Sequence, residues 1–152
     1  MKILFTILLF AVTAGECDSS VATKGKDTAQ EEDVRFYYNA LSRGSFYDVT
    51  ITREAITVKK SRNESDKIVV KTGDEDWKAL LTELHKTDIA RIRELKAPTD
   101  KRLYDGAAHA ELIVTKDGEE YRSSGFDHGY PPEAIAPLVK TILGLAETVE
   151  KQ

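Results

Sequence analysis

The sequence predicts an α+β fold, an antiparallel sheet of about five or six strands built from hairpins, with helices packed on one face. Three observations predict it. Apolar residues alternate with a period of two through short runs between Val34 and Lys71. The period lengthens to that of a helix between Asp74 and His85, and the pair Asp117-Gly118 then separates two further strand-like runs ahead of a last helical stripe. The implied order is ββββ-α-ββ-α, and 152 residues with 41% apolar content supply one core of ordinary size rather than two.

The domain opens with Val34-Arg35-Phe36-Tyr37-Tyr38, where Phe36 and Tyr38 share one face and Tyr37 takes the other, because aromatic and β-branched side chains suit a pleated, half-buried surface. Arg43-Gly44-Ser45 marks a turn. Phe46 to Thr52 sends Val49 and Ile51 inward, and after Arg53-Glu54 the run Ala55 to Lys60 sends Ile56 and Val58 inward, which makes an antiparallel hairpin with one wet face. Lys60 to Lys67 is a charged loop, and Lys67 to Lys71 is a further short strand. Trp77, Leu80, Leu81 and Leu84 fall at i, i+3, i+4 and i+7, one stripe of a helix over Asp74 to His85 with Thr72 or Asp74 as its N-cap. His85 in its last turn complements the helix dipole as a cation. Ile89, Ile92 and Leu95 continue at helical spacing until Ala97-Pro98 ends the segment.

Asp and Gly both tolerate positive φ, so Asp117-Gly118 reads as a two-residue type I′ turn that sets a register. Counted outward from it, Val114 faces Tyr121, Leu112 faces Ser123 and Ala110 faces Gly125. Ala110, Leu112 and Val114 then lie on the core face, and His109, Glu111 and Ile113 on the other, with Phe126 across from His109. Pro131-Pro132-Glu133 opens a terminal helix whose stripe of Ile135, Leu138, Val139, Ile142 and Leu145 or Ala146 closes over the sheet. Pro137 has no N–H to give to a helix interior, so the α-helix proper is expected to begin near it, after a 3₁₀ turn.

Three N-terminal features precede this domain of residues 34–152. Residues 1–17 have the order of a secretory signal segment: Met1-Lys2, an apolar run from Ile3 to Val12 broken by Thr6, then small residues. The run is shorter than the ~20 apolar residues that cross a bilayer. The stretch Ala14-Gly15-Glu16-Cys17-Asp18-Ser19-Ser20 resembles the lipobox of bacterial lipoproteins, in which the Cys is acylated and becomes the first residue; Glu16 stands where the lipobox has Gly, Ala or Ser. Ordinary signal peptidase cleavage after Ala14, leaving Cys17 a free thiol, is the other route. Residues 18–33 hold Val21 as their one β-branched aliphatic among Ser, Thr, Lys, Asp, Glu and Gly, a composition that cannot order itself, and as a flexible tether they would span ~20–25 Å.

Composition narrows the function. Twenty-two Lys and Arg against twenty-six Asp and Glu give a net charge of -4, which provides no electrostatic footprint for nucleic acid. A single Cys excludes an intramolecular disulfide and an all-Cys zinc site, and three His allow at most a sparse metal site. No Gly-rich phosphate loop, Gly-x-Ser-x-Gly or His-Glu-x-x-His motif occurs, so no cofactor is expected, and Asn63-Glu64-Ser65 is a three-residue acceptor match without meaning in a bacterial protein. These features predict a cell-envelope binding or accessory module rather than an enzyme, anchored to the membrane at Cys17 or free in the periplasm, with an envelope protein as partner.

The strand and helix order is similar to that of the emfourin family of metalloprotease inhibitors, whose opening Ser-Gly-Gly turn has an echo in Ser42-Arg43-Gly44. That resemblance implies an inhibitor-like role. The N-terminus and general composition resemble the small exported lipoproteins common in Bacteroidetes, and that resemblance implies export without specifying an activity.

Two clusters carry the candidate chemistry, Tyr104-Asp105-Gly106-Ala107-Ala108-His109 and Phe126-Asp127-His128-Gly129-Tyr130-Pro131-Pro132. In the continuous register His109 and His128 are diagonal neighbours on one face, and Glu111, Asp105 or Asp127 would complete a site suited to Zn²⁺ and metal-assisted hydrolysis. That is the alternative to binding. Phe126, Tyr104 and Tyr130, with Tyr37 and Tyr47, would instead form an aromatic patch for a protein or glycan.

Overall fold

The computed structural model describes residues 33–104 and 106–151. The signal segment, Cys17, nearly all of the tether and Asp105 lie outside the described residues. The chain folds as an α+β domain. β1 (Val34–Leu41), β2 (Phe46–Ile51), β3 (Ala55–Lys59) and β4 (Lys67–Lys71) form an antiparallel meander. The chain then crosses the sheet through helix α1 (Asp74–His85), passes two 3₁₀ turns at Ile89–Glu94 and Lys101–Tyr104, and returns as β5 (His109–Lys116) against the free side of β1. β6 (Glu119–Arg122) pairs with β5, and a two-residue β7 (Phe126–Asp127) pairs with the other end of β5. The spatial order is β4-β3-β2-β1-β5-β6.

Alternation decides which side is buried. Phe36, Tyr38, Val49, Ile51, Val58, Leu112 and Val114 lie on one face and are almost wholly inaccessible, each such burial being worth ~1.5–3 kcal/mol. α1 and the terminal helix α2 (Ala136–Glu150) cover that face, with Trp77 of α1 edge-on to Phe36 at 6.0 Å between ring centroids. A 3₁₀ turn at Glu133–Ile135 precedes α2, whose first turn holds Pro137, and Ile135, Leu138, Val139, Ile142 and Ala146 face inward. The other face keeps a polar network in which Asn39 Nδ2 donates to Asp48 Oδ1 (2.8 Å) and Arg122 pairs with Glu111 (2.9 Å).

Three local expectations are corrected. Gly73, not Thr72 or Asp74, caps α1: the buried Thr72 hydroxyl donates across to Thr52 O (2.8 Å), and Asp74 already belongs to the helix and pairs with Arg53 (2.5 Å). The stretch after α1 tightens into 3₁₀ geometry at Ile89–Glu94, with Ile92 alone fully buried within it. The third concerns the last hairpin. Asp117 (φ 52°) and Gly118 (φ 80°) make the expected turn, and Ile113 faces Arg122 and Val114 faces Tyr121. Beyond Arg122, however, Ala110 faces Phe126 and His109 faces Asp127. Glu111 and Leu112 therefore oppose Ser123, Ser124 and Gly125, a β-bulge of one extra residue. Ser123 N donates to Leu112 O (2.9 Å) while its own Oγ accepts from Leu112 N (3.0 Å), so a hydroxyl replaces the ladder carbonyl where the strand kinks.

Candidate functional site

The bulge changes what the chemistry-bearing clusters can do. A shift of one residue moves every later side chain to the opposite face. Phe126 consequently turns inward and is wholly buried against Tyr38, at 6.1 Å between centroids, and so it is a core residue and not part of a surface patch. His128 follows it to the same side of the sheet, where the residue stays exposed. Its Nδ1 lies 2.8 Å from the Tyr38 hydroxyl, and its ring lies 5.8 Å from that of Tyr38 and 5.7 Å from that of Tyr47. His109 remains exposed on the open face, packed over Gly125, where an added Cβ would collide with the imidazole. The two imidazoles therefore sit on opposite faces of the sheet rather than as neighbours.

The carboxylates are also committed elsewhere. Glu111 is ion-paired with Arg122. Asp127 is completely buried and accepts four hydrogen bonds, from Thr99 Oγ1 (2.5 Å) and Lys101 N (2.8 Å) on Oδ2, and from Arg102 N (2.9 Å) and Arg102 Nη1 (3.1 Å) on Oδ1. Four bonds fill the acceptor capacity of a carboxylate. Burial alone would raise its pKa, but the donors from Thr99, Arg102 and Lys101 outweigh that and hold it well below the usual carboxylate range. Among the described residues no group of three His, Cys, Asp or Glu side chains converges in metal-binding geometry.

Asp127 is instead a fastener. Its donors all come from residues 99–102, which enter the 3₁₀ turn Lys101–Tyr104, so one buried carboxylate clamps that turn onto the end of β7. Arg102 Nη1 also donates to Thr99 O (2.6 Å), and its guanidinium pairs with Asp100 (3.1 Å). The clamped turn holds out two large side chains, Leu103 at 73% and Tyr104 at 71% exposure, and across Lys101 from them stands Tyr130 at 56%. Lys101 Nζ sits 5.6 Å from the Tyr130 ring centroid, and the space beside Gly106 is bounded by both Lys101 Cβ and the Tyr104 ring. Gly129, at φ 82°, makes the bend that swings Tyr130 outward.

Of the aromatic candidates, then, Tyr104 and Tyr130 are both exposed and both border Lys101, while Phe126 is in the core. Tyr37 lies on the open face within hydrogen-bond reach of Asn39 (3.3 Å), and Tyr47 is half-buried with its hydroxyl beside Glu150; burial first, then that carboxylate, raises the Tyr47 pKa. Leu103 and Lys101 were not among the sequence candidates. The available signal was Thr99-Asp100 after Pro98, a helix-start pattern, followed by the apolar pair Leu103-Tyr104 with no periodic partner. Neither a protein-family model nor a curated protein matches the chain.

Proposed function

We propose that the protein is an exported binding or accessory module of the cell envelope, held to a membrane by a lipid on Cys17, that grips an envelope protein through the Leu103, Tyr104 and Tyr130 surface. The single observation behind this reading is the combination of exposure and rigidity there: Leu103 and Tyr104, 73% and 71% exposed, stand on a turn fixed by the buried, fully bonded carboxylate of Asp127, and Tyr130, 56% exposed, follows that carboxylate by three residues. A flexible loop with the same side chains would lose much of its binding energy to ordering, whereas a pre-fixed turn does not. Tyrosine adds large contact area with few rotatable bonds and a hydroxyl for the rim, which is why it recurs among binding hot spots. The signal segment and the polar tether support the placement, since ~20–25 Å of coil lets such a surface reach partners beside a bilayer. An inhibitor-like role and membership of a surface complex both fit.

The test is affinity capture from solubilised envelope with the wild-type protein beside Leu103→Ala, Tyr104→Ala and Tyr130→Ala variants. A stoichiometric partner retained by the wild type, and weakened ~30-fold or more by at least one substitution that leaves the melting temperature unchanged, is the expected result. A partner retained equally by all three variants would move the site elsewhere on the molecule.

A further inference from the structure

A second surface lies along the terminal helix and adjoins the first only at the bend of residues 129–131. A groove of about 460 Å³ runs between α2 and the bend at Gly129 and Pro131, floored by Val139 and Leu143. Lys140, Gly144 and Glu147 line its helix side. From these we infer that α2 is a self-docking face, on which a second copy of this chain lays its own α2 antiparallel about a two-fold axis passing between Leu143 and Gly144.

Charge complementarity selects the occupant. In an antiparallel pair centred between Leu143 and Gly144, Lys140 of each copy stands opposite Glu147 of the other, and the two-fold makes that contact twice. A parallel pairing would set Lys140 against Lys140 and Glu147 against Glu147. Glu147 already pairs with Lys151 on its own helix (2.7 Å), while among the described residues nothing engages the Lys140 ammonium. The same axis lays Leu143 of each copy over Gly144 of the other. A Cβ built at Gly144 meets nothing within 4 Å, so packing within the chain does not demand glycine there, although glycine in a helix interior is less stable than alanine. An absent side chain does let a neighbouring helix approach closely. α2 has 15 residues and so is about 22 Å long; one such helix pair with its flanking bend buries a modest area, and the dimer belongs to the weak, concentration-dependent class.

Sedimentation equilibrium of the full chain, in micelles that accommodate its N-terminal segment, tests this with the variants Lys140→Glu, Glu147→Lys and the double exchange. The wild type should show a monomer–dimer equilibrium. Each single exchange sets like charges opposite one another and should weaken association at least tenfold, and the double exchange, which restores opposite charges, should recover most of it. Both side chains are exposed, and melting curves on all three variants separate lost association from lost folding. A wild type that is monomeric up to about 1 mM, or a dimer that neither single exchange weakens or the double fails to restore, overturns the inference. Tyr104→Ala should leave the dimer intact, which keeps this result distinct from the partner-binding test.

Discussion

His128 is a residue whose protonation the fold resists. One side of its ring lies against Tyr38 and Tyr47, and this loss of water lowers its pKa. Burial pushes the Tyr38 hydroxyl up to about 12, so that hydroxyl stays protonated, and with the imidazole proton on Nε2 it donates to Nδ1. Protonating the ring would take away that acceptor. A depressed histidine pKa means the unfolded chain binds the proton first, so stability is complete above an unfolded value of ~6.5 and falls as pH drops from there toward the lower folded value. Thermal melts between about pH 5 and pH 8 should show this slope in the wild type, and His128→Gln should flatten it. At Asp127 the charge is the fastening element. Asp127→Asn keeps the shape but turns an amide N–H₂ toward donors at Thr99 and Lys101 or Arg102, leaving buried groups unpaired. The expected outcome is a melting temperature lowered by roughly 5–15 °C, together with loss of partner binding, since the turn that carries Tyr104 comes loose.

Among the elements, the bulge at Ser123–Gly125 has the largest consequence. It turns Phe126 into the core and divides His109 from His128, and it does so through one added residue and one hydroxyl standing in for a carbonyl. Deleting Ser124 would straighten the ladder and leave Phe126 opposite Ala110, at the loss of the Ser124 hydroxyl that donates to Leu95 O. Truncating the buried ring costs about 3–5 kcal/mol, so Phe126→Ala should unfold at markedly lower denaturant than the wild type in chemical melts, as a surface Phe would not. Strand and helix placement elsewhere was legible because period-two and period-3.6 patterns each have one buried face, and the bounds of β4 and α1 match the run and stripe from which they are read. The bulge was not legible for the same reason. Ser123-Ser124-Gly125 carries no apolar side chain to declare its face, so nothing local distinguished two residues from three opposite Leu112 and Glu111.

For the whole molecule, the proposal of an anchored module makes Cys17 the decisive atom outside the domain. Cys17→Ala should release the protein from the membrane fraction on cell fractionation without altering its thermal unfolding, because the core cluster of the described residues is supplied by Val34 to Val149. Membrane association unchanged in that variant, or a mature N-terminus mapped to Gly15, would favour plain signal peptidase cleavage instead. Anchoring also confines the chain to a surface, and there a weak dimer and a modest hot spot gain from high effective concentration.

Sequence by itself determined the α+β class, the inward faces of β1, β2, β3 and β5, the Asp117-Gly118 turn and the stripes of both helices. Each of these is a statement about neighbours a few residues apart, where periodicity and turn chemistry act directly. It also named Tyr104 and Tyr130 as surface candidates. Only the tertiary structure decided that Asp127 is a clamp rather than a ligand, that Phe126 is core and that the two histidines are parted. Those outcomes depend on donors from residues 99–102, more than twenty positions from Asp127 in the chain, and on a register slip that only the closing of β7 onto β5 makes visible.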